Sequence, residues 1–207
     1  MVKPIAIAPG VSLWRAYFDR AAQIALRDAV YARLIDAPFY RPVMPKTGTP
    51  FSVEETNFGT KGWLADLKSY RYVERHPVTG QSWPDMPPAL LALWEAIADY
   101  PAPPETALVN LYRPGAKMGL HQDSDEQATD APVVSVSLGD DALFRIGGTT
   151  RKGPTKSVKL SSGDVLMFGG PARLAFHGID RIVAGSSTLI PDGGRINLTL
   201  RRVTRSK

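Results

Sequence analysis

The 207-residue chain contains no cysteine. Disulfides, thiolate zinc sites, iron–sulfur clusters and cysteine nucleophiles are therefore excluded, and the composition fits a reducing compartment. Histidine is scarce, with only His76, His121 and His177 in the whole chain. No apolar run approaches the roughly 18 residues that would span a bilayer. The opening Met1-Val2-Lys3-Pro4-Ile5 has no apolar stretch of the kind a secretory signal carries. These absences predict a cytoplasmic protein with no membrane partner. Internal repeats, low-complexity tracts and Gly/Ser linkers are also missing, which predicts one compact unit. Acidic residues are outnumbered, 20 against 25 lysines and arginines, leaving a formal charge of +5. A surface of that sign favours polyanions, and nucleic acid is the commonest of these.

Proline and glycine are present but unevenly spread. Thirteen of the 18 prolines precede Glu105 and 13 of the 18 glycines follow it, so the two halves differ in kind. Residues 19–35 show apolar side chains near helical spacing among several alanines, and Pro38 lies just beyond. A second helix is expected from Pro87 or Pro88 through Ile97, with Pro101 ending it. After Glu105 the pattern changes to short strands between turn signals: 106–112, 133–138, 143–146, 157–160, 165–168, 174–177 and 195–203. Strands of this number and spacing predict a sandwich, barrel or jelly roll.

Two of the three histidines sit in suggestive places. In His121-Gln122-Asp123, an extended backbone turns one imidazole and one carboxylate to the same side. His177 lies far along the chain, where a rolled sheet can bring it opposite. Two imidazoles and a carboxylate with the remaining positions open make the facial triad of non-haem Fe(II) oxygenases. A bare His-x-Asp also occurs as a surface turn or a hydrogen-bonded pair. The later segment Arg195-Ile196-Asn197-Leu198-Thr199-Leu200-Arg201 alternates strictly, with polar side chains on one face and apolar ones on the other. Its polar face either meets solvent or points into a barrel mouth, where two planar guanidinium forks suit a small dicarboxylate.

Taken together, these segments resemble the AlkB family of Fe(II)/2-oxoglutarate-dependent dioxygenases, and the bacterial alkylation-repair members above all. The resemblance is carried by Asn110-Leu111-Tyr112-Arg113-Pro114-Gly115, His121-x-Asp123, Val133-Val134-Ser135-Val136-Ser137-Leu138-Gly139, Ser162-Gly163-Asp164, Phe176-His177-Gly178 and Arg195-x-Asn197-x-Thr199-x-Arg201, in family order. It implies a mainly β fold with flanking helices (α+β): a double-stranded β-helix (jelly roll) core with an N-terminal nucleotide-recognition lid. Residues 1–104 would hold the N-terminal helices and lid, and 105–207 the catalytic core. It further implies that His121, Asp123 and His177 hold Fe(II) and are the catalytic centre. Arg195, assisted by Tyr112 and Asn197, would pair with the distal carboxylate of 2-oxoglutarate. Arg201, assisted by Asn110, would meet the carboxylate beside the keto group. With O2 as oxidant, an N-linked methyl group on a base such as 1-methyladenine or 3-methylcytosine would be hydroxylated and lost as formaldehyde, with succinate and CO2 as co-products. Four departures stand out: Gly119 for a serine, Met118 for a leucine, Phe168 for a tryptophan and Ile196 for a tyrosine; none removes a ligand.

Residues 61–75 interleave Lys61, Lys68, Arg71 and Arg75 with Trp63, Tyr70 and Tyr72. Alone this reads as an edge hairpin with half-buried aromatics; beside the other motifs it suits phosphates and stacked bases. The resemblance places the target base between Trp63 and the His121 ring, with Tyr70, Asp125 and Arg151 as further substrate contacts. A carboxylate at Asp125 would accept from an exocyclic amino group, and Arg151 reads equally well as a solvated charge beside Lys152. His76 is expected in a loop with no role. The expected partner is alkylated DNA, single strands preferred, with RNA a further substrate, and the chain is expected to act as a monomer. Rival readings are an oxygenase for a protein or small-molecule substrate, a nucleic-acid-binding jelly roll without turnover, and a hydrolytic zinc site. The last would leave the paired arginines without a purpose.

Overall fold

The alternation expected in residues 195–201 is what the larger sheet is built around. The computed structural model describes residues 3–205. In chain order the elements are β1 (Ile5–Ala8), β2 (Val11–Trp14), α1 (Arg20–Tyr31), β3 (Glu54–Gly59), β4 (Gly62–Ala65), β5 (Tyr70–Val73), α2 (Pro88–Ile97), β6 (Thr106–Tyr112), β7 (Met118–His121), β8 (Val133–Gly139), β9 (Asp141–Ile146), β10 (Lys156–Leu160), β11 (Val165–Phe168), β12 (His177–Val183) and β13 (Arg195–Arg201). A seven-stranded sheet runs β1-β2-β11-β8-β13-β6-β3 and faces a four-stranded sheet, β10-β9-β12-β7. This is the jelly-roll, double-stranded β-helix core with flanking helices, as expected.

β13 lies between β8 and β6, antiparallel to both. Every one of its residues is buried, because the two faces of the sheet pack against different things. Ile196, Leu198 and Leu200 join Val30 of α1 and Leu90, Leu93 and Trp94 of α2 in one core. On the other face, Tyr112, Phe144, Ile146, Phe168 and Ile179 form a second core between the sheets. The polar residues of β13 lie on that inner side, along the whole length of the strand. The arginines there are enclosed by the fold and not splayed into water.

The N-terminal half contributes more strand than its composition foretold. β1 and β2 extend one edge of the larger sheet, and β3 forms the other by pairing with β6. β4 and β5 make a separate hairpin. α1 begins where expected, with the Asp19 carboxylate accepting from the Ala22 N–H at 2.9 Å. It stops at Tyr31, short of Ile35, because the apolar periodicity fails there: Ile35 is 84% exposed. α2 starts at Pro88 as predicted. The strand expected at 174–177 instead begins at His177. The preceding residues turn tightly, with the Ala175 N–H bonded to the Ala172 carbonyl. No helix among the described residues is long and apolar enough to cross a membrane.

The smaller sheet sets the site. His177 at the start of β12 pairs in register with His121 at the end of β7, and the register then shifts before Ile179 meets Met118. Gly178 permits this close approach. A Cβ there would stand 2.5 Å from the Met118 carbonyl oxygen and 2.9 Å from that of Gly119. Replacing Gly178 by alanine should therefore push β7 from β12. We expect a loss of about 1–3 kcal/mol in urea denaturation, as for overpacked interiors, together with weakened metal binding.

Candidate functional site

The two histidine rings lie 4.4 Å apart, centre to centre. Asp123, two residues past the end of β7, completes a group whose ligand atoms all fall within 4.8 Å of one another. The His121 Nε2 is 3.8 Å from Asp123 Oδ1, and the His177 Nε2 is 3.9 Å from Oδ2. These separations are too long for hydrogen bonds, so all three groups are left facing a common point. Each Nδ1 sits 3.0 Å from a backbone carbonyl, that of Gly119 for His121 and that of Ala175 for His177. A carbonyl only accepts, so each Nδ1 carries the proton and each Nε2 keeps a free lone pair. Burial pushes the His177 imidazole down to about 4, which keeps it in the neutral, metal-binding form. Burial, the largest single influence, would raise the Asp123 carboxyl, but Arg201, His177, His121 and Arg173 together outweigh it and hold the carboxyl below the usual carboxylate range.

Arg201 grips Asp123 Oδ2 with Nε at 3.0 Å and Nη2 at 2.9 Å. Behind this pair lies a set of charges that the sequence did not single out. Glu126 lies 3.5 Å from Arg201 and 3.0 Å from Arg173. Arg173 also donates to the carbonyls of Asp123 at 2.6 Å and Ala131 at 2.8 Å. The hydroxyl of Tyr72, from the hairpin, donates to Glu126. Arg173 and Glu126 are buried, so the network is internal. The one available signal was a lone arginine among Ala172, Leu174 and Ala175.

Arg195 is only 1% exposed, yet two of its nitrogens have no partner. Its Nη2 donates to Ser137 Oγ at 3.0 Å and its guanidinium lies over the Tyr112 ring, while Nε and Nη1 are unpaired. A buried guanidinium with free donors fits a carboxylate. Asn110, on the same face of the neighbouring strand, has an unpaired Oδ1. Asn197 is more fully engaged. Its Nδ2 donates to Ser135 Oγ and the Val136 carbonyl, and its Oδ1 accepts from Thr199. The donor set therefore fits an Fe(II) ion, and Arg195 fits one end of a dicarboxylate beside it.

The hairpin covers this region from one side. Asn57 of β3 clasps the Trp63 backbone, accepting its N–H at 3.0 Å and donating to its carbonyl at 3.1 Å. The Trp63 ring stacks on Tyr70 at 5.5 Å and 14°. Its indole N–H donates to Asp125 Oδ2 at 2.7 Å, so two of the expected substrate contacts are bonded to each other. Of the expected basic and aromatic groups, Arg71 is paired with Asp66 and Tyr72 points inward. A shallow groove bordered by Lys61, Tyr70 and Asp125 remains open. Arg151 is exposed, its guanidinium 5.9 Å from the centre of the Phe176 ring. His76 lies in a loop but is buried. Its Nε2 is 2.8 Å from the Pro38 carbonyl and its Nδ1 accepts from the Val78 and Thr79 N–H groups, a structural role.

Comparison with known proteins agrees with this geometry. The profile of the 2OG-Fe(II) oxygenase superfamily matches residues 10–201. The chain is 57% identical over 204 residues to the alpha-ketoglutarate-dependent dioxygenase AlkB homolog of Caulobacter vibrioides, covering 98% of this chain and 91% of that one. It is 39% identical over 205 residues to alpha-ketoglutarate-dependent dioxygenase AlkB of Escherichia coli K12, covering 97% and 94%. The solved structure of OsALKBH1 superposes with a TM-score of 0.81 at 30% identity, covering 97% of this chain and all of that one.

Removing one partner from a buried ionic group leaves the others uncompensated. Glu126→Ala should accordingly cost about 3–5 kcal/mol in chemical denaturation. Tyr72→Phe, which leaves the charges balanced, should cost about 1 kcal/mol.

Proposed function

The chain belongs to the 2OG-Fe(II) oxygenase superfamily, and from that membership we propose that it removes alkyl groups oxidatively from N-alkylated bases such as 1-methyladenine and 3-methylcytosine in DNA, with RNA as a further substrate. The observation that carries this reading is the convergence of His121, Asp123 and His177 within 4.8 Å in a fold that also buries the unpaired guanidinium of Arg195, with the aromatic hairpin alongside. When bound, Fe(II) with 2-oxoglutarate and O2 supplies the oxidising power for C–H hydroxylation; the products are succinate, CO2 and formaldehyde.

The chain's own residues do the placing. His121, Asp123 and His177 hold the metal. Arg195 takes the distal carboxylate of 2-oxoglutarate through its free Nε and Nη1, over the Tyr112 ring and beside Asn197. Arg201 and Asn110 meet the carboxylate next to the keto group. Trp63 and the His121 ring enclose the alkylated base, and Tyr70 and Arg151 contact the strand. Asp125 exchanges the Trp63 indole N–H for the exocyclic amino group of the base, trading one donor for another. Because the metal ligands are buried, the base must leave its stack to reach them, which favours single strands. Residues 1–104 carry the recognition elements and 105–207 the catalytic core, and the protein acts as a cytoplasmic monomer.

Anaerobic titration with Fe(II) and 2-oxoglutarate, then oxygen and a methylated oligonucleotide, tests this. Succinate and formaldehyde should appear in equal amounts with the repaired base, and Asp123→Ala should abolish both. Arg195→Ala removes two charge-assisted bonds and should weaken 2-oxoglutarate binding by about 100-fold, from roughly 3 kcal/mol. Succinate without base repair would redirect the assignment to a protein or small-molecule substrate.

A further inference from the structure

One buried acidic side chain takes no part in the machinery described so far. Glu55 of β3 is 1% exposed, and among the described residues no donor reaches either of its carboxylate oxygens. Its neighbour Glu54 is ordinary, exposed enough to pair with Arg41 at 3.0 Å. Glu55 heads a row of polar residues that crosses the larger sheet. It stands opposite Asn110 of β6, Asn110 stands opposite Asn197 of β13, and Asn197 stands opposite Ser137 of β8. Residues paired in this way share a face and lie in contact range of one another.

The far end of the row is satisfied. Ser137 Oγ accepts from Arg195. Asn197 gives its Nδ2 protons to Ser135 Oγ and the Val136 carbonyl, and its Oδ1 accepts from Thr199. Asn197 therefore has no donor left for Asn110, whose Oδ1 is sealed without a partner. Nor does Asn110 turn its Nδ2 to Glu55, because both Glu55 oxygens are unpaired. The near end of the row thus sets acceptor against acceptor on two facing residues.

The charged and titratable groups that face Glu55 are Arg201 of β13, Tyr112 of β6 and Tyr40 ahead of β3. Each is engaged elsewhere. Arg201 commits Nε and Nη2 to Asp123. The Tyr40 hydroxyl donates to the Trp63 carbonyl at 3.1 Å, and the Tyr112 hydroxyl is directed to the Met118 sulfur at 3.7 Å. One proton on Glu55 resolves the conflict, since a neutral carboxyl donates as well as accepts. Burial outweighs Arg201 and pushes the Glu55 carboxyl up to about 8, so the acid keeps that proton at neutral pH.

We propose that Glu55 is a positioning residue that works as a neutral acid, donating its O–H to Asn110 Oδ1 and so turning Asn110 Nδ2 toward the co-substrate carboxylate. The role rests on the dealkylation reading above, in which Asn110 meets the carboxylate beside the keto group of 2-oxoglutarate. An amide carries donors on one edge and an acceptor on the other. When Glu55 ionises, the donor edge of Asn110 swings to the new anion, and Oδ1 is left facing the carboxylate. Binding thus requires the protonated acid and is lost as the pH rises past the point where Glu55 releases its proton.

The test titrates 2-oxoglutarate into anaerobic Fe(II)-loaded protein by calorimetry at pH 7 and pH 9, for wild type, Glu55→Gln and Glu55→Met. If only the protonated form binds, apparent affinity follows its fraction, and the wild-type Kd should rise about tenfold between the two pH values. Glu55→Gln carries a permanent N–H donor, so it should hold the wild-type pH 7 affinity within about twofold at both. Its profile also reports the pH response of every other group. Glu55→Met has no donor and should bind about three- to tenfold more weakly than Glu55→Gln at both pH values. In the metal-free protein at pH 7, infrared difference spectra of wild type against Glu55→Gln should show one protonated carboxyl band. A wild-type pH response no steeper than that of Glu55→Gln, or a Glu55→Met variant as tight as Glu55→Gln, would overturn the role of Glu55 alone. So would the absence of the carboxyl band. A wild type that binds no 2-oxoglutarate at pH 7 would overturn the dealkylation reading, and this role with it.

Discussion

The ion pair between Asp123 and Arg201 is the constraint on which the site depends. A carboxylate withdrawn from water is tolerable only beside a cation, and Arg201 reaches it from the last residue of β13 with two nitrogens at 3.0 and 2.9 Å. That guanidinium is itself buried and has Glu126 within 3.5 Å. Glu126 in turn engages Arg173, which returns to the Asp123 backbone. Two carboxylates and two guanidiniums balance, so Asp123 is fixed without net charge within this group. The imidazoles are fixed differently, by backbone carbonyls that settle which nitrogen carries the proton.

The larger sheet makes this possible because both of its faces are covered. On a strand with one wet face, Arg195 and Arg201 would be solvated and would bind a carboxylate weakly. Here Ile196, Leu198 and Leu200 seal one side against α1 and α2, and the smaller sheet closes the other. The same strand thus carries a hydrophobic core on one face and two buried guanidiniums on the other. A shift of one residue in its pairing would exchange them.

Much of this was legible in the chain itself. The alternation of residues 195–201 specified which side chains share a face, and His121-x-Asp123 specified two ligands on one side of an extended segment. Prolines 87 and 88 marked the start of α2 because both suit a first helical turn. What escaped was non-local. β1, β2 and β3 are short strands that become strands only by pairing with β11 and β6, residues far along the chain. Their composition resembles that of loops. Glu126, Arg173 and Glu55 drew no attention, since nothing in a linear neighbourhood announces burial beneath a distant strand. His177 does lie with His121 and Asp123, as expected, but at the other end of its strand, because the turn at 170–173 follows from the tertiary path.

The hairpin of β4 and β5 belongs to neither main sheet. It is tied to the framework through Asn57, Tyr40 and Tyr72, and through Gly62, where a side chain would collide with the Trp83 ring at 2.2 Å. Its remaining outward positions answer to no packing partner in the sheets. Substitutions there can change the exposed face of the hairpin while His121, Asp123 and His177 stay in place. The surface of the hairpin and the clustered histidine–aspartate group can therefore evolve at separate rates within a single small chain.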